Sequence, residues 1–168
     1  MSIIVAIVGA ADLGWALPTI GSLATYFGER PLEIRLYDTN EEQLDLVERF
    51  ARKAFTFSKA THVLLSSSNI EVSIREANRL IHQSPRIGQV DFEGEVLILQ
   101  PAPQDIPYQS FRLLEWTPPH LKIDSIPYQL LRWIHEEEYM HELFALYEQS
   151  PLKKWLDDPT TMPLKQRG

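Results

Sequence analysis

The sequence predicts an α/β fold, a parallel sheet with helices on its faces, extended by a proline-rich C-terminal part with one or two strands and a long helix. Three observations carry this. A β-branched apolar run opens the chain, as expected of a strand buried on both faces. Segments of strand period and helix period then alternate, the pattern of crossovers that return to a parallel neighbour. Prolines divide the chain, because only Pro18 and Pro31 lie within residues 1–84 and the other ten lie within 85–168. At 168 residues there is room for one ordinary domain or a domain with an appendage, and not for two full ones. The expected organisation is a unit over 1–90 and a C-terminal extension over 91–168 packed on it.

Ser2 to Val8 reads SIIVAIV and is the first expected strand; Gly9 ends it. Leu13, Ala16, Leu17, Ile20, Leu23, Ala24 and Phe27 recur at helical spacing before Gly28, a natural stop. Leu32 to Tyr37 alternates as a strand, and Asp38, Thr39 and Asn40 are all N-cap types ahead of a helix striped by Leu44, Val47, Ala51 and Phe55. In the second half, Phe92 to Gln100 and Phe111 to Trp116 read as strands around a stiff loop with three prolines. A helix of about five turns is expected over about 127–148, with Pro127 in its first turn, then a short turn from Pro151 to Trp155 and a loose tail.

Composition narrows the function classes. The chain is 44% hydrophobic with 7 Phe, 6 Tyr and 4 Trp, enough for a packed core. Its net charge of -7 gives no basic footprint for nucleic acid or an anionic membrane, and neither is an expected partner. Between Ile3 and Phe27 the only charge is Asp12, yet Gly9, Gly14, Pro18 and Gly21 break the stretch into pieces too short to span a bilayer. With no cysteine there is no disulfide framework, thiolate metal site or cysteine nucleophile, which fits the reducing cytoplasm.

Chemistry enters at the first strand-to-helix turn. Gly9-Ala10-Ala11-Asp12-Leu13-Gly14 is a G-x-G-x-x-G with Ala11 at the middle glycine, and Asp38 lies 24 residues after Gly14 at the end of the second strand. In a Rossmann dinucleotide site the first glycine makes the turn, the second admits the pyrophosphate, and the third lets helix and strand pack. Free N–H groups at the helix start hold the phosphates. The expected cofactor-binding residues are Gly9, Ala10, Ala11, Asp12, Leu13, Gly14, Asp38 and Thr39. Asp38 would accept from the ribose hydroxyls and repel a 2′-phosphate, so the expected cofactor is NAD. Against this stand the Ala11 methyl in the pyrophosphate path and the Asp12 charge beside it; Asp12 also serves as a helix cap.

The segments GAADLGWALPTIGSLA and EIRLYDTNEEQLDLVERFARK resemble the N-terminal NAD-binding domain of the family 4 glycoside hydrolases, the 6-phospho-glycosidase and α-galactosidase group related to lactate and malate dehydrogenases. Thr61 to Gln83 is similar to that family's third strand, short helix and fourth strand, with Ala77-Asn78 at an Ala-Asp pair and Arg86-Ile87-Gly88 near an Arg-Val-Gly turn. The resemblance covers about residues 2–88. It implies a bound NAD. The family's transient oxidation of the sugar and its metal held by cysteine and histidine have no counterpart here, because the chain lacks cysteine and the length of the substrate domain. His82 falls where the family tends to have asparagine and receives no role.

Other constellations favour plainer readings. His135, Glu138, His141 and Glu142 share a broad helical face, but Tyr139 breaks H-E-x-x-H and no metal is expected. Trp116, Trp133 and Trp155 are expected as core cover or interface. Ser66, Ser67 and Ser68 have no recognisable base, and no catalytic residue is assigned. A truncated sheet would leave an open edge, for which a second copy is the expected cover. The preferred reading is a small NAD(H)-binding protein lacking the catalytic half of the family 4 glycoside hydrolases, with turnover left open. The alternatives are a small NAD-dependent oxidoreductase and a cofactor-free interaction module.

Overall fold

The computed structural model describes residues 3–28, 31–99, 111–119 and 126–157. Six strands form one fully parallel sheet: β1 (Ile3–Val8), β2 (Leu32–Tyr37), β3 (Val63–Ser67), β4 (Arg79–His82), β5 (Glu95–Ile98) and β6 (Arg112–Leu113), in the order β3-β2-β1-β4-β5-β6. This is the doubly wound Rossmann order. β1 lies in the middle, with Val8 level with Tyr37 on one side and His82 on the other.

Helix α1 (Leu13–Ala24) returns the chain from β1 to β2, and α2 (Glu41–Ser58) returns it from β2 to β3. Of the three N-cap types before α2, Asn40 is the cap, its side chain accepting from the Gln43 amide at 3.1 Å, while Lys59 ends the helix in the left-handed region at φ 64°. The first helix stops at Ala24, short of the expected Phe27, whose side chain is 67% exposed; the Thr25 hydroxyl bonds the Gly21 and Ser22 carbonyls and closes the last turn. The short α3 (Ile70–Ile74) precedes β4, which Asn78 pins to β1 by exchanging bonds with Ile4 at 2.9 and 3.1 Å.

Alternation along the strands feeds two apolar layers. Val5, Ile7, Ile34, Leu36, Ile81 and Leu97 face the α1–α2 side, while Val8, Tyr37, Leu80, Val96 and Ile98 face a smaller cluster closed by α3, Val90 and Phe111. The two sides are built differently. Residues 83–94, which join parallel strands β4 and β5, contain no helix, although such crossovers usually do.

The larger layer also takes in the C-terminal helices α4 (Ile126–His135), α5 (Met140–Tyr147) and α6 (Pro151–Asp157), with Leu130, Ile134, Met140, Leu143, Tyr147, Leu152 and Trp155 joining the same core. The expected single helix over 127–148 is thus two helices separated by a 3-10 turn at Glu137–Tyr139. Phase explains the break. Counting two turns on from buried Ile134 puts the core face near residue 141, whereas the next buried apolar residue is Met140, and a tighter turn removes the mismatch. The Glu136-Glu137-Glu138 run adds like-charge repulsion at the same place. Strands β5 and β6 are shorter than their predicted spans; the loop expected over 101–109 and the tail over 160–168 lie outside the described residues.

The aromatic residues belong to packing. Trp116 lies 6.5 Å from Trp15 and edge-on to Tyr147 at 6.4 Å, and Trp133 lies 6.0 Å from Phe50. At the β3 edge, Val63 and Leu65 are about half exposed.

Candidate functional site

The carboxyl ends of β1 and β4 diverge into crossovers on opposite sides, the position at which open α/β sheets bind ligands. Gly9 makes the turn there, at φ +84°, and both the Gly9 and Ala10 amides donate to the Tyr37 carbonyl at 3.0 Å. The glycine is required twice over: a Cβ at this position would stand 2.4 Å from the Ser84 Cβ. Gln83 completes the wall, its side-chain amide donating to the Gly9 carbonyl at 3.1 Å while its Oε1 accepts from the buried Thr19 hydroxyl at 2.7 Å.

The third glycine behaves differently from expectation. A Cβ on Gly14 would meet only Asp12 Oδ1, at 3.5 Å, so helix–strand packing does not demand it. The close approach instead occurs at Gly21, whose Cβ would fall 2.4 Å from the buried Tyr147 ring. Gly9, Ala10 and Ala11 are all buried, and the Ala11 methyl belongs to the core; Asp12, Leu13 and Gly14 at the start of α1 are partly exposed.

Asp38 reaches back to this turn. Its side chain is fully buried, with Oδ2 accepting from the Ala11 amide at 2.9 Å and from Arg86 Nη2 at 2.8 Å, and Oδ1 accepting from the Asn40 amide at 2.9 Å. The neighbouring Thr39 is exposed. The predicted residues are therefore brought together, with Asp38 fastening the loop after β2 to the β1–α1 turn.

Asp12 caps α1 through its backbone, its carbonyl accepting from Trp15 and Ala16, without a well-formed side-chain cap. Burial raises its carboxyl above the usual range and Asp38 adds to the rise, while the Gly14 amide, Arg86 and the Ser84 hydroxyl oppose it. Two acids and one guanidinium thus gather at the mouth. Arg86, Gln83 and Ser84 were not legible as site residues: the family likeness marked Arg86 only as part of a turn, and nothing local says that a residue 48 positions after Asp38 will meet it.

The remaining candidates take structural places. His82 is buried with Nε2 2.6 Å from the Gly88 carbonyl. Ser66 and Ser68 donate to Glu48 and Glu41. His141 Nδ1 lies 2.9 Å from the Glu138 carbonyl, and among the described residues no group of three or more acids and histidines is placed to hold a metal. No helix among them is long and apolar enough to cross a membrane.

Two histidines give a pH dependence of stability. Burial lowers the imidazole pKa of both His62 and His82 below its usual value, only partly offset by their bonds to the Leu23 and Gly88 carbonyls. His62 Nε2 donates to Leu23, leaving buried Nδ1 without a partner, so a proton there would have no acceptor. Below the unfolded value of about 6.5, the unfolded chain takes up protons that the fold refuses. Urea midpoints should therefore be highest above about pH 7 and fall as the pH drops through 6.5 toward the lowered folded values. Asp12 works in the opposite sense at lower pH, its raised pKa favouring the folded state as it protonates. A midpoint that rises between pH 7 and 6, or one unaffected by replacing both histidines with glutamine, would contradict this account.

No protein-family model matches the chain, and no curated protein matches it. Solved structures similar to it include the following two. One is a 6-phospho-α-glucosidase from gut microorganisms in complex with NAD and Mn2+, 16% identical with a TM-score of 0.47, covering 52% of this chain and 20% of that one. The other is the 6-phospho-β-glucosidase from Thermotoga maritima with NAD and glucose-6-phosphate, 22% identical with a TM-score of 0.42, covering 50% of this chain and 20% of that one. The chain spans about one fifth of the length of these structures. Both are 6-phospho-glucosidases, and each match covers about half of this chain.

Proposed function

We propose that the chain binds a nicotinamide adenine dinucleotide, NAD or its phosphorylated form, at the β1–α1 turn. The observation that carries this is the juxtaposition at the switch point: a left-handed glycine turn after the central strand, a helix start with Gly14 open to approach, and Asp38 joined to that turn across the sheet ends. The diphosphate would lie at the start of α1 against the Leu13 amide, and against the Gly14 amide once the Asp12 carboxylate gives it up, with the adenosine ribose near the end of β2 at Asp38 and Thr39. A bound dinucleotide supplies hydride-transfer chemistry; this chain's own residues provide the cradle, and no acid or base is assigned to a reaction.

A second reading is a cofactor-free module that keeps the fold alone. Its support is specific: Gly9 to Ala11 are buried, and Asp38 is spent on internal bonds. Thermal unfolding separates the two. A dinucleotide at about 100 times its dissociation constant should stabilise the fold by about 2.7 kcal/mol and raise Tm by about 5–10 °C. If NAD, NADH, NADP and NADPH all leave Tm unmoved, the second reading stands.

A further inference from the structure

We propose that Arg86 makes the adenosine end of the site a phosphate-binding point, so that the chain prefers a dinucleotide carrying a 2′-phosphate over NAD; this rests on the dinucleotide reading above. A carboxylate reads a ribose diol only through lone pairs that the hydroxyls can reach. Asp38 is 0% exposed and already accepts three hydrogen bonds, from Ala11, Asn40 and Arg86. With about four lone-pair positions on a carboxylate, at most one remains, and it lies inside the fold.

Arg86 is in the opposite condition. Its side chain is 49% exposed, and among the described residues only one of its N–H donors is engaged, by Asp38. What the β2 end offers an incoming ligand is therefore a guanidinium with spare donors, with the Asp12 carboxylate as the second acid in its field. That fork matches the oxygens of a phosphate and has little to give a neutral diol. Its bond to Asp38 holds it at the ribose end of the turn.

The adjoining surface suits the rest of an adenosine. A cleft of about 340 Å³ is walled by Tyr37, Ile70, Ile74, Ile87 and Val90, with Glu71, Gln89 and Asp91 lining its polar side. Tyr37 directly precedes Asp38 and Ile87 directly follows Arg86, so the ion pair adjoins a cleft of mixed polarity roomy enough for a flat base.

Calorimetric titration of the whole chain with NAD, NADP and adenosine 2′,5′-bisphosphate tests this. NADP should bind at least about tenfold tighter than NAD, a difference of about 1.4 kcal/mol. Arg86→Gln alone would strand the buried Asp38 charge, so the decisive variant is Arg86→Gln with Asp38→Asn, checked for folding by circular dichroism. In it the preference should fall below about threefold, while Arg86→Lys, which keeps the charge but not the fork, should retain part of it. Tighter binding of NAD by the wild type overturns the proposal. So does an equal loss of both dinucleotides in the double variant, which would assign Arg86 to the diphosphate. If neither dinucleotide binds, the dinucleotide reading fails separately, and the bisphosphate then decides: binding abolished in the double variant supports the phosphate point, and no binding by the wild type overturns it.

Discussion

Gly9→Ala is expected to lower the unfolding free energy by about 2–6 kcal/mol, measured by urea denaturation. The figure joins two costs. An L side chain at φ +84° carries backbone strain of about 1–3 kcal/mol, and a methyl built 2.4 Å from the Ser84 Cβ overpacks a rigid wall for about 1–3 kcal/mol more. Ser84 has little freedom to retreat, being buried beside Gln83, which is itself held to Gly9 and Thr19. The matched control is Gly14→Ala. Its new methyl meets only Asp12 Oδ1 at 3.5 Å, and in a helix interior alanine exceeds glycine by about 0.5–1 kcal/mol, so this variant should be neutral or slightly stabilised. Equal losses at the two glycines would show that the fingerprint is maintained by something other than the Gly9–Ser84 approach.

Trp155→Ala should cost about 3–5 kcal/mol, and Trp155→Phe much less. Trp155 is fully buried in α6, and the guanidinium of Arg79 on β4 lies 5.7 Å from its ring centre. Arg79 also donates to the Leu156 carbonyl at 3.0 Å, so one arginine ties the last described helix to the sheet. The indole N–H is buried with no partner among the described residues, so phenylalanine removes an unpaired donor while retaining most of the apolar surface. Thermal unfolding of the two variants decides it: if Trp155→Phe loses as much as Trp155→Ala, the indole N–H has a partner that this account lacks.

Local pattern was enough to find most of the first half. SIIVAIV, LEIRLY and the Leu44–Val47–Ala51–Phe55 stripe are each consistent with their final environments, so period and burial agree. It failed where distant residues decide. Phe27 continues the apolar rhythm of α1 but falls beyond the turn at Thr25, and the helix expected over 127–148 obeys a core face that shifts phase between Ile134 and Met140. At the site, the residue types and their spacing gave the right neighbours but not their orientation. Asp38 at the end of β2 was foreseeable; that its carboxylate would turn inward, and that Arg86 would stand in front of it, depends on β4 lying beside β1.

The placement of β1 between β2 and β4 also sets how far along the chain its partners lie. β1 needs both neighbours, and its second neighbour begins at residue 79. Its helical cover is completed later still, since α6 begins at residue 151. The apolar segment Ile3–Val8 therefore depends on partners 70 or more residues away for one of its edges and for part of its helical cover. Loop-closure entropy must be met before these distant contacts reward it, so the central strand is held by contacts that cost the chain more entropy to form than its local helices do.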